Sequence, residues 1–376
     1  MPPYPVQDRT NFIVPVRPDV IKIFVVHNTS PKGRLTGFFK KSKLGDSPMM
    51  RLSPLHLSDN MSCMNIGIIG AGAMGSLFGG KLSSAGHNVV LYDINQAHID
   101  AVNNLGLRIE DAATGKETTV RLQASSDPAC LSRVDTAVIF VKSTATASAA
   151  GRFADILPAG SVIITLQNGY GNEDILKRLY GPERTAAGVT SHGATFLGPG
   201  LIRHAGKGPT YVCMSSKKRE PLRNFVEALS EAGFETGIED DIQNLIWSKL
   251  VINVGINALT ALTGMLNGQL LRFDGTRKVM EALVAEAVEV TKARGIRLTY
   301  SDPLKQVMET AEKTAMNRSS MLQDFDRKTV SEIEFINGAI MAEAEKLRIA
   351  VPVNSAVTAL IRALDEKHET ERNTIA

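Results

Sequence analysis

Apolar residues along this chain come in two rhythms. Up to about residue 238, short unbroken apolar runs alternate with stretches of helical period; beyond it the helical period takes over. The first clear run is Asn65–Ile69 ("NIGII"), which suits a strand buried on both faces. Ser76–Ala85 follows, with Leu77, Phe78 and Leu82 on one side of a predicted helix, and Gly86 stands where that helix ends. Asn88–Tyr92 ("NVVLY") reads as a second strand. "TAVIFVK" (Thr136–Lys142) and "SVIITLQN" (Ser161–Asn168) are further runs of the same kind. Residues 187–213 are rich in Gly and Thr and predict short strands with turns, closing the sheet's edge as an antiparallel addition. From about Asp240 helical periodicity covers 240–262, 274–295, 302–314 and 320–347, and Pro303 and Pro352 mark breaks. No internal repeat interrupts this order.

Between the first strand and its helix stand Gly70, Ala71, Gly72, Ala73, Met74 and Gly75, a G-x-G-x-x-G loop. Gly70 permits the tight turn, Gly72 keeps side-chain atoms away from a pyrophosphate, and Gly75 lets helix and sheet pack closely. The helix N-terminus offers N–H groups and partial positive charge to phosphate. Asp93 ends the second strand, 18 residues past Gly75, where an acid accepts hydrogen bonds from the adenosine ribose. It would repel a 2′-phosphate, which argues for NAD(H) over NADP(H). A solvated acid at a strand end is the plainer alternative. Glycines alone are weak evidence; strand, loop, helix, strand and acid in order point to dinucleotide binding. The fold class is therefore α/β: an N-terminal Rossmann-like dinucleotide-binding domain, 64–238, followed by an all-helical C-terminal domain, 239–376, that takes the substrate. Asp93, Lys142 and Asn168 all stand at carboxyl ends of strands, where open α/β sheets bind ligands. Lys142 or Asn168 alone would read as well as a solvated loop residue.

The second informative stretch is "IWSKLVINVGINALTAL" (Ile246–Leu262). Lys249, Asn253 and Asn257 interrupt an apolar helix at intervals of four, so they share one face. Such groups need partners when buried. A polar substrate in a cleft would supply them, though the spacing equally suits a helix with one narrow wetted side. A protonated lysine there can protonate an oxygen that turns negative when hydride attacks a carbonyl. In "NRSSMLQDFDRKTVSEIEFING" (Asn317–Gly338), Ser320 and Gln323 have capping-box spacing, so a long helix is expected to begin there. Its N–H groups and the Ser320 hydroxyl could hold a carboxylate, or Ser320 is a cap and nothing more. Glu332 could face the cleft or water. His192 and His204 lie away from the Lys–Asn stripe, which makes either a poor candidate for the catalytic acid.

Composition changes the picture in one place. The chain has 376 residues, 43% hydrophobic and 22% charged, as an ordinary globular protein has. Its net charge of +3 is misleading. Residues 1–63 hold nine Lys and Arg against four Asp, +5, which leaves −2 for the remainder. Nucleic-acid binding by the folded part is therefore not indicated. The leader also holds eight of the sixteen prolines. It has a strand-like patch, "VIKIFVV", and a basic cluster, "FFKKSK", but neither a secretory nor a transit pattern. It is expected to lie outside the fold, either disordered or upstream of a working start at Met64. Cys63, Cys130 and Cys213 are widely spaced and odd in number. They suggest a reducing, cytoplasmic compartment, no disulfide framework and no metal. No apolar run approaches the ~20 residues that span a bilayer, so no membrane partner is expected.

At this point the motifs "GAGAMG", "LQNG", "WSKLVINVGINALTAL", "LNGQL" and "NRSSMLQD" followed by "EIEFING" resemble the ketopantoate reductases, in that family's order and close to its spacing, from Met64 to about residue 360. The resemblance implies NADP(H)-dependent reduction of 2-dehydropantoate to (R)-pantoate, in the pathway to pantothenate and coenzyme A. It implies Lys249 as proton donor. Asn253, Asn257, Asn267 and Ser320 would be substrate ligands, with Asn168 touching both nicotinamide and substrate. Ala194 and Glu332 would line the cofactor. The sequence departs from the NADP(H)-using pattern at "YDIN", where Asp93 has no neighbouring Arg or Lys. The leading alternative is therefore an NAD-dependent D-2-hydroxyacid dehydrogenase of the mandelate type, also a small 2-oxo acid enzyme. The hydroxyisobutyrate dehydrogenase group shares the Lys249–Asn253 pair but normally has a Gly-rich lead-in, which "DDIQNLIWSK" lacks. A non-catalytic redox-sensing module would need the loop but not the stripe. A homodimer is one arrangement that a helical domain of this kind allows.

Overall fold

The computed structural model describes residues 12–15, 21–24, 63–214, 216 and 220–375. They belong to two units, 1–62 and 63–376. In the first, Phe12–Pro15 (β1) and Ile21–Phe24 (β2, inside the "VIKIFVV" patch) pair antiparallel, with Phe12 opposite Phe24. The "FFKKSK" cluster lies outside the described residues.

The second unit opens as expected with β3 (Asn65–Ile69), α1 (Ala73–Ser84) and β4 (Asn88–Tyr92). Then come α2 (Gln96–Leu105), β5 (Leu107–Asp111), β6 (Glu117–Val120), β7 (Gln123–Ser125), β8 (Thr136–Ile139), α3 (Thr146–Phe153), β9 (Val162–Thr165) and α4 (Asn172–Tyr180). β10 (Thr185–Thr190), β11 (Gly193–Gly198), β12 (Leu201–Gly206), β13 (Thr210–Met214), α5 (Glu220–Glu231) and β14 (Thr236–Ile238) complete the strand-bearing part. The main sheet runs β14-β13-β10-β9-β8-β3-β4-β7, parallel except where β13 meets β10. Ile66, Ile68 and Ile69 of β3 and Val138 and Ile139 of β8 are fully buried, which is why these runs carry no polar alternation. Each such side chain contributes about 1.5–3 kcal/mol by leaving water.

The Gly- and Thr-rich segment differs from expectation. Only β10 and β13 join the main sheet. β11 and β12 leave it to form a second sheet, β11-β12-β5-β6, in which β12 runs parallel to β5. The small sheet lies along α1, and Gly80 makes room for it: a Cβ there would meet Leu107 and Ile109 of β5 within 3 Å.

After residue 238 the described residues hold helices only: α6 (Gln243–Thr263), α7 (Asp274–Ala293), α8 (Pro303–Lys313), α9 (Ser320–Asp326), α10 (Asn337–Leu347) and α11 (Pro352–Ile375). Pro303 and Pro352 are first residues of helices, where a missing N–H costs nothing. The predicted 320–347 helix is broken: α9 stops after seven residues, Lys328 takes a left-handed φ of 51°, and a short 3-10 turn at Ile333–Phe335 precedes α10. α6 corrects the reading of apolar runs. Its 21 residues are long and apolar enough to cross a membrane, yet most are buried inside this unit around Trp247, Val251 and Val254.

Candidate active site

The glycine turn meets the geometric demands read from its sequence. Gly70 has a φ of 99°, and a Cβ there would lie 2.5 Å from the Val141 nitrogen. At Gly75 a Cβ would lie 1.9 Å from the Gly70 carbonyl oxygen, so the helix start packs on the turn with no room for a side chain there. Gly72 is exposed, and nothing lies within 4 Å of where its Cβ would be. Gly72 caps α1 without a side-chain bond, and the first turn of α1, which includes Ala73 and Met74, has no acid. These N–H groups and the open backbone fit a pyrophosphate. Ala71 is buried, and its N–H donates to Asp93 Oδ2 at 2.7 Å, while Asp93 Oδ1 accepts from Asn95 N at 2.9 Å. Asp93 thus braces the turn it faces. Each carboxylate oxygen keeps a second lone pair for a ribose hydroxyl.

Across the sheet's carboxyl end, Lys142 follows β8. Its Nζ lies 2.7 Å from Asp324 Oδ2 and 3.4 Å from Glu332 Oε2, and Glu332 Oε1 accepts from Ser143 N at 2.8 Å. Burial opposes the charge on Lys142, but Glu332 and Asp324 outweigh it and hold the ammonium above the ordinary lysine range. Asp324, 1% exposed, is pushed up by burial, with Lys142 pulling the other way. Asn168 follows β9. Its carbonyl accepts from Ser143 Oγ and Asn172 Nδ2, which fixes the turn. Gly169, at φ 85°, comes so close to Phe335 that a Cβ would sit 2.5 Å from its carbonyl oxygen.

The third wall is α6. Lys249 Nζ donates to the Thr190 carbonyl at 2.7 Å. Burial lowers its pKa to about 8, against an opposing pull from Glu332. Asn168 and Lys249 line one cavity of about 40 Å³ together with Gln167, Gly169 and Gln243. Asn253 is half-buried, and Asn257 is buried with its Nδ2 3.5 Å from Ser320 Oγ. Ser320 is not the cap of α9. Ser319 is: its Oγ accepts from Leu322 N at 3.1 Å and from Thr260 Oγ1 at 2.6 Å. That leaves the Ser320 hydroxyl free of the capping task, on the Asn257 side.

The structure therefore gathers Lys142 with Glu332, Asn168 with Lys249, and Asn257 with Ser320. Asn267 stands one turn beyond α6, buried, with Nδ2 on Thr314 Oγ1 and Oδ1 without a hydrogen-bond partner. Ala194 lies in β11 opposite His204, in the small sheet. Sequence reasoning missed Asp324, Asn172 and the Thr190 carbonyl. The first two partner residues far along the chain or across a turn, and a backbone acceptor has no signature at all.

Comparison with known proteins shows the family. The family model described as ketopantoate reductase PanE/ApbA matches residues 66–216, and that of the ketopantoate reductase PanE/ApbA C terminal matches 241–365. The chain belongs to the ketopantoate reductase family. Among its relatives, the 2-dehydropantoate 2-reductase of Halobacterium salinarum is 35% identical over 80% of this chain and 98% of its own length. That of Pyrococcus horikoshii is 34% identical over 80% and 97%. A crystal structure of a PanE/ApbA family ketopantoate reductase from Ralstonia eutropha superposes with a TM-score of 0.76 at 33% identity, covering 81% of this chain and all of that one. The ternary structure of D-mandelate dehydrogenase with NADH and anilino(oxo)acetate superposes at 0.73 and 26%, covering 81% and 100%. This family member is thus an oxidoreductase acting on a keto or hydroxyl group, of a kind that uses a nicotinamide cofactor.

Proposed function

We propose that this chain reduces 2-dehydropantoate to (R)-pantoate, with residues 64–238 holding the dinucleotide and 239–376 the substrate. Bound dinucleotide supplies the hydride. Lys249 protonates the oxygen of the attacked keto group, a role that its lowered pKa of about 8 suits. Asn253, Asn257 and Ser320 hold the hydroxyl and carboxylate groups of the substrate, and Asn267 extends the same row. Asn168 reaches the reacting carbon's surroundings from the strand side. Lys142 and Glu332 meet the nicotinamide ribose side, with Ala71 to Gly75 on the pyrophosphate. Ala194 is kept as a cofactor-lining residue on resemblance alone. One observation carries the reading: Lys249 shares a cavity with Asn168 and, on one helix face, leads to the Asn257–Ser320 contact.

NADH is the proposed donor. Asp93 directly follows β4, and the next residues, Ile94, Asn95 and Gln96, bring no cation for a 2′-phosphate. The same feature favours a second reading, an NAD-dependent D-2-hydroxyacid dehydrogenase, since the similar D-mandelate dehydrogenase is seen with NADH. The three cysteines are unbridged, and a cytoplasmic site and a homodimer belong to the proposal. A paired assay decides: 2-dehydropantoate and phenylglyoxylate, each with NADH and NADPH. The first reading predicts turnover of 2-dehydropantoate at a kcat/KM at least about tenfold above phenylglyoxylate. The reverse order would install the second.

A further inference from the structure

A second cavity lies at the other end of α1 from the glycine turn, some eight residues or ~12 Å along the helix from Ala73. Its volume is about 300 Å³, and Lys81, His192, His204, Lys207 and Glu235 line it. The two imidazoles meet at 3.0 Å, His192 Nδ1 to His204 Nε2. His192 stands edge-on to Phe234, with ring centroids 4.9 Å apart, and its Nε2 is buried with no hydrogen-bond partner. A buried ring nitrogen left unpaired calls for an explanation, and an ordered ligand is one.

Charge narrows the ligand. Among the described residues Lys81 has no acid within ion-pair distance; its ammonium sits 5.4 Å over the Phe234 ring instead. Lys207 pairs with Asp111 at 2.7 Å, but that lysine is 61% exposed, so the pair is weak and exchangeable. Burial and Lys207 both lower the pKa of Lys81; burial, His204 and Lys81 lower that of His192 to about 4, and burial, Lys81 and Lys207 lower that of His204. Lys81, Lys207 and His192 line this one cavity, with two carboxylates near them, Glu235 in the lining and Asp111 on Lys207. A tetrahedral oxyanion has an oxygen for each of the three donors, whereas a carboxylate has two. The volume exceeds that of a free oxyanion and reaches the lower bound of small-molecule pockets.

We infer that this Lys81–His192–His204–Lys207 cavity is a binding site for a phosphate-class dianion, separate from the dinucleotide site. Of its lining residues Lys81 lies on α1, the helix that follows the glycine turn.

The test is calorimetric titration of the full chain, saturated with whichever reduced dinucleotide it binds, so that the glycine turn is occupied. The probes are inorganic phosphate and glycerol 3-phosphate, with acetate as the control. Both phosphates should bind saturably and acetate should not. Tighter binding of the ester would identify a phosphate monoester as the ligand, and equal binding the free anion. Lys81→Met and Lys207→Met should each weaken binding about tenfold. Lys207 is exposed, so its variant keeps the fold and carries the test if Lys81→Met does not. Absence of saturable binding to the dinucleotide-loaded native protein, or unchanged affinity in Lys207→Met and Lys81→Met alike, overturns the inference.

Discussion

Lys249 is the residue on which the proposed chemistry turns, and its environment gives it a pH signature. Its pKa is lowered from the ordinary 10.5 to about 8 because burial penalises the ammonium. The donor must be protonated for reduction. In the reductive direction kcat should be flat below pH 8 and fall about tenfold per unit above it. Oxidation of the hydroxy acid, which needs the neutral amine, should rise through the same pH. A pH profile measured both ways checks this. The two adjacent serines offer a second test, because spacing misassigned their roles. Ser319→Ala should cost about 1 kcal/mol in urea unfolding, since its hydroxyl caps α9. Ser320→Ala should leave stability nearly unchanged and raise KM for the 2-oxo acid. The polar stripe itself was plain in the sequence, because a lysine and two asparagines at fixed intervals stand out among apolar neighbours. Asp324 was not, since it gains meaning only from Lys142, 182 residues earlier.

Elements were legible where local rules decide them. Strand, glycine turn and helix at 65–84 followed from steric need: a Cβ at Gly75 would collide with backbone at 1.9 Å. Gly75→Ala should therefore lower the unfolding midpoint sharply and abolish dinucleotide binding, both readable in one thermal-shift titration. Two readings failed for reasons beyond local pattern. The 320–347 stretch keeps helical period, but its chain must return Glu332 to Ser143 as well as Asp324 to Lys142, and a straight helix carries them apart. β11 and β12 look like edge strands of the main sheet. β12 pairs instead with β5, on the side where α1 presents Gly80, whose Cβ would meet Leu107 and Ile109 of β5.

At the scale of the molecule, a sheet-bearing part up to residue 238 meets a helical part after it, and Lys142 is one of the side chains that tie the two, with Lys249 on the Thr190 carbonyl and Glu332 on Ser143 N. Removing it strands Asp324, which is buried, with one partner fewer. Lys142→Met should cost about 1–3 kcal/mol in urea unfolding, and it should weaken dinucleotide binding in the same preparation. The two-part architecture was readable from apolar rhythm alone, since parallel strands and helices bury different patterns. The meeting of Asn257 with Ser320 was not, because nothing local fixes the approach of α9 to α6. The most direct measurement is single-turnover reduction of 2-dehydropantoate by Lys249→Ala, alongside dinucleotide affinity. The account predicts a rate lowered by about 10²–10⁴, with the dissociation constant of the reduced dinucleotide within about twofold of the native value. A native rate in that variant would contradict it.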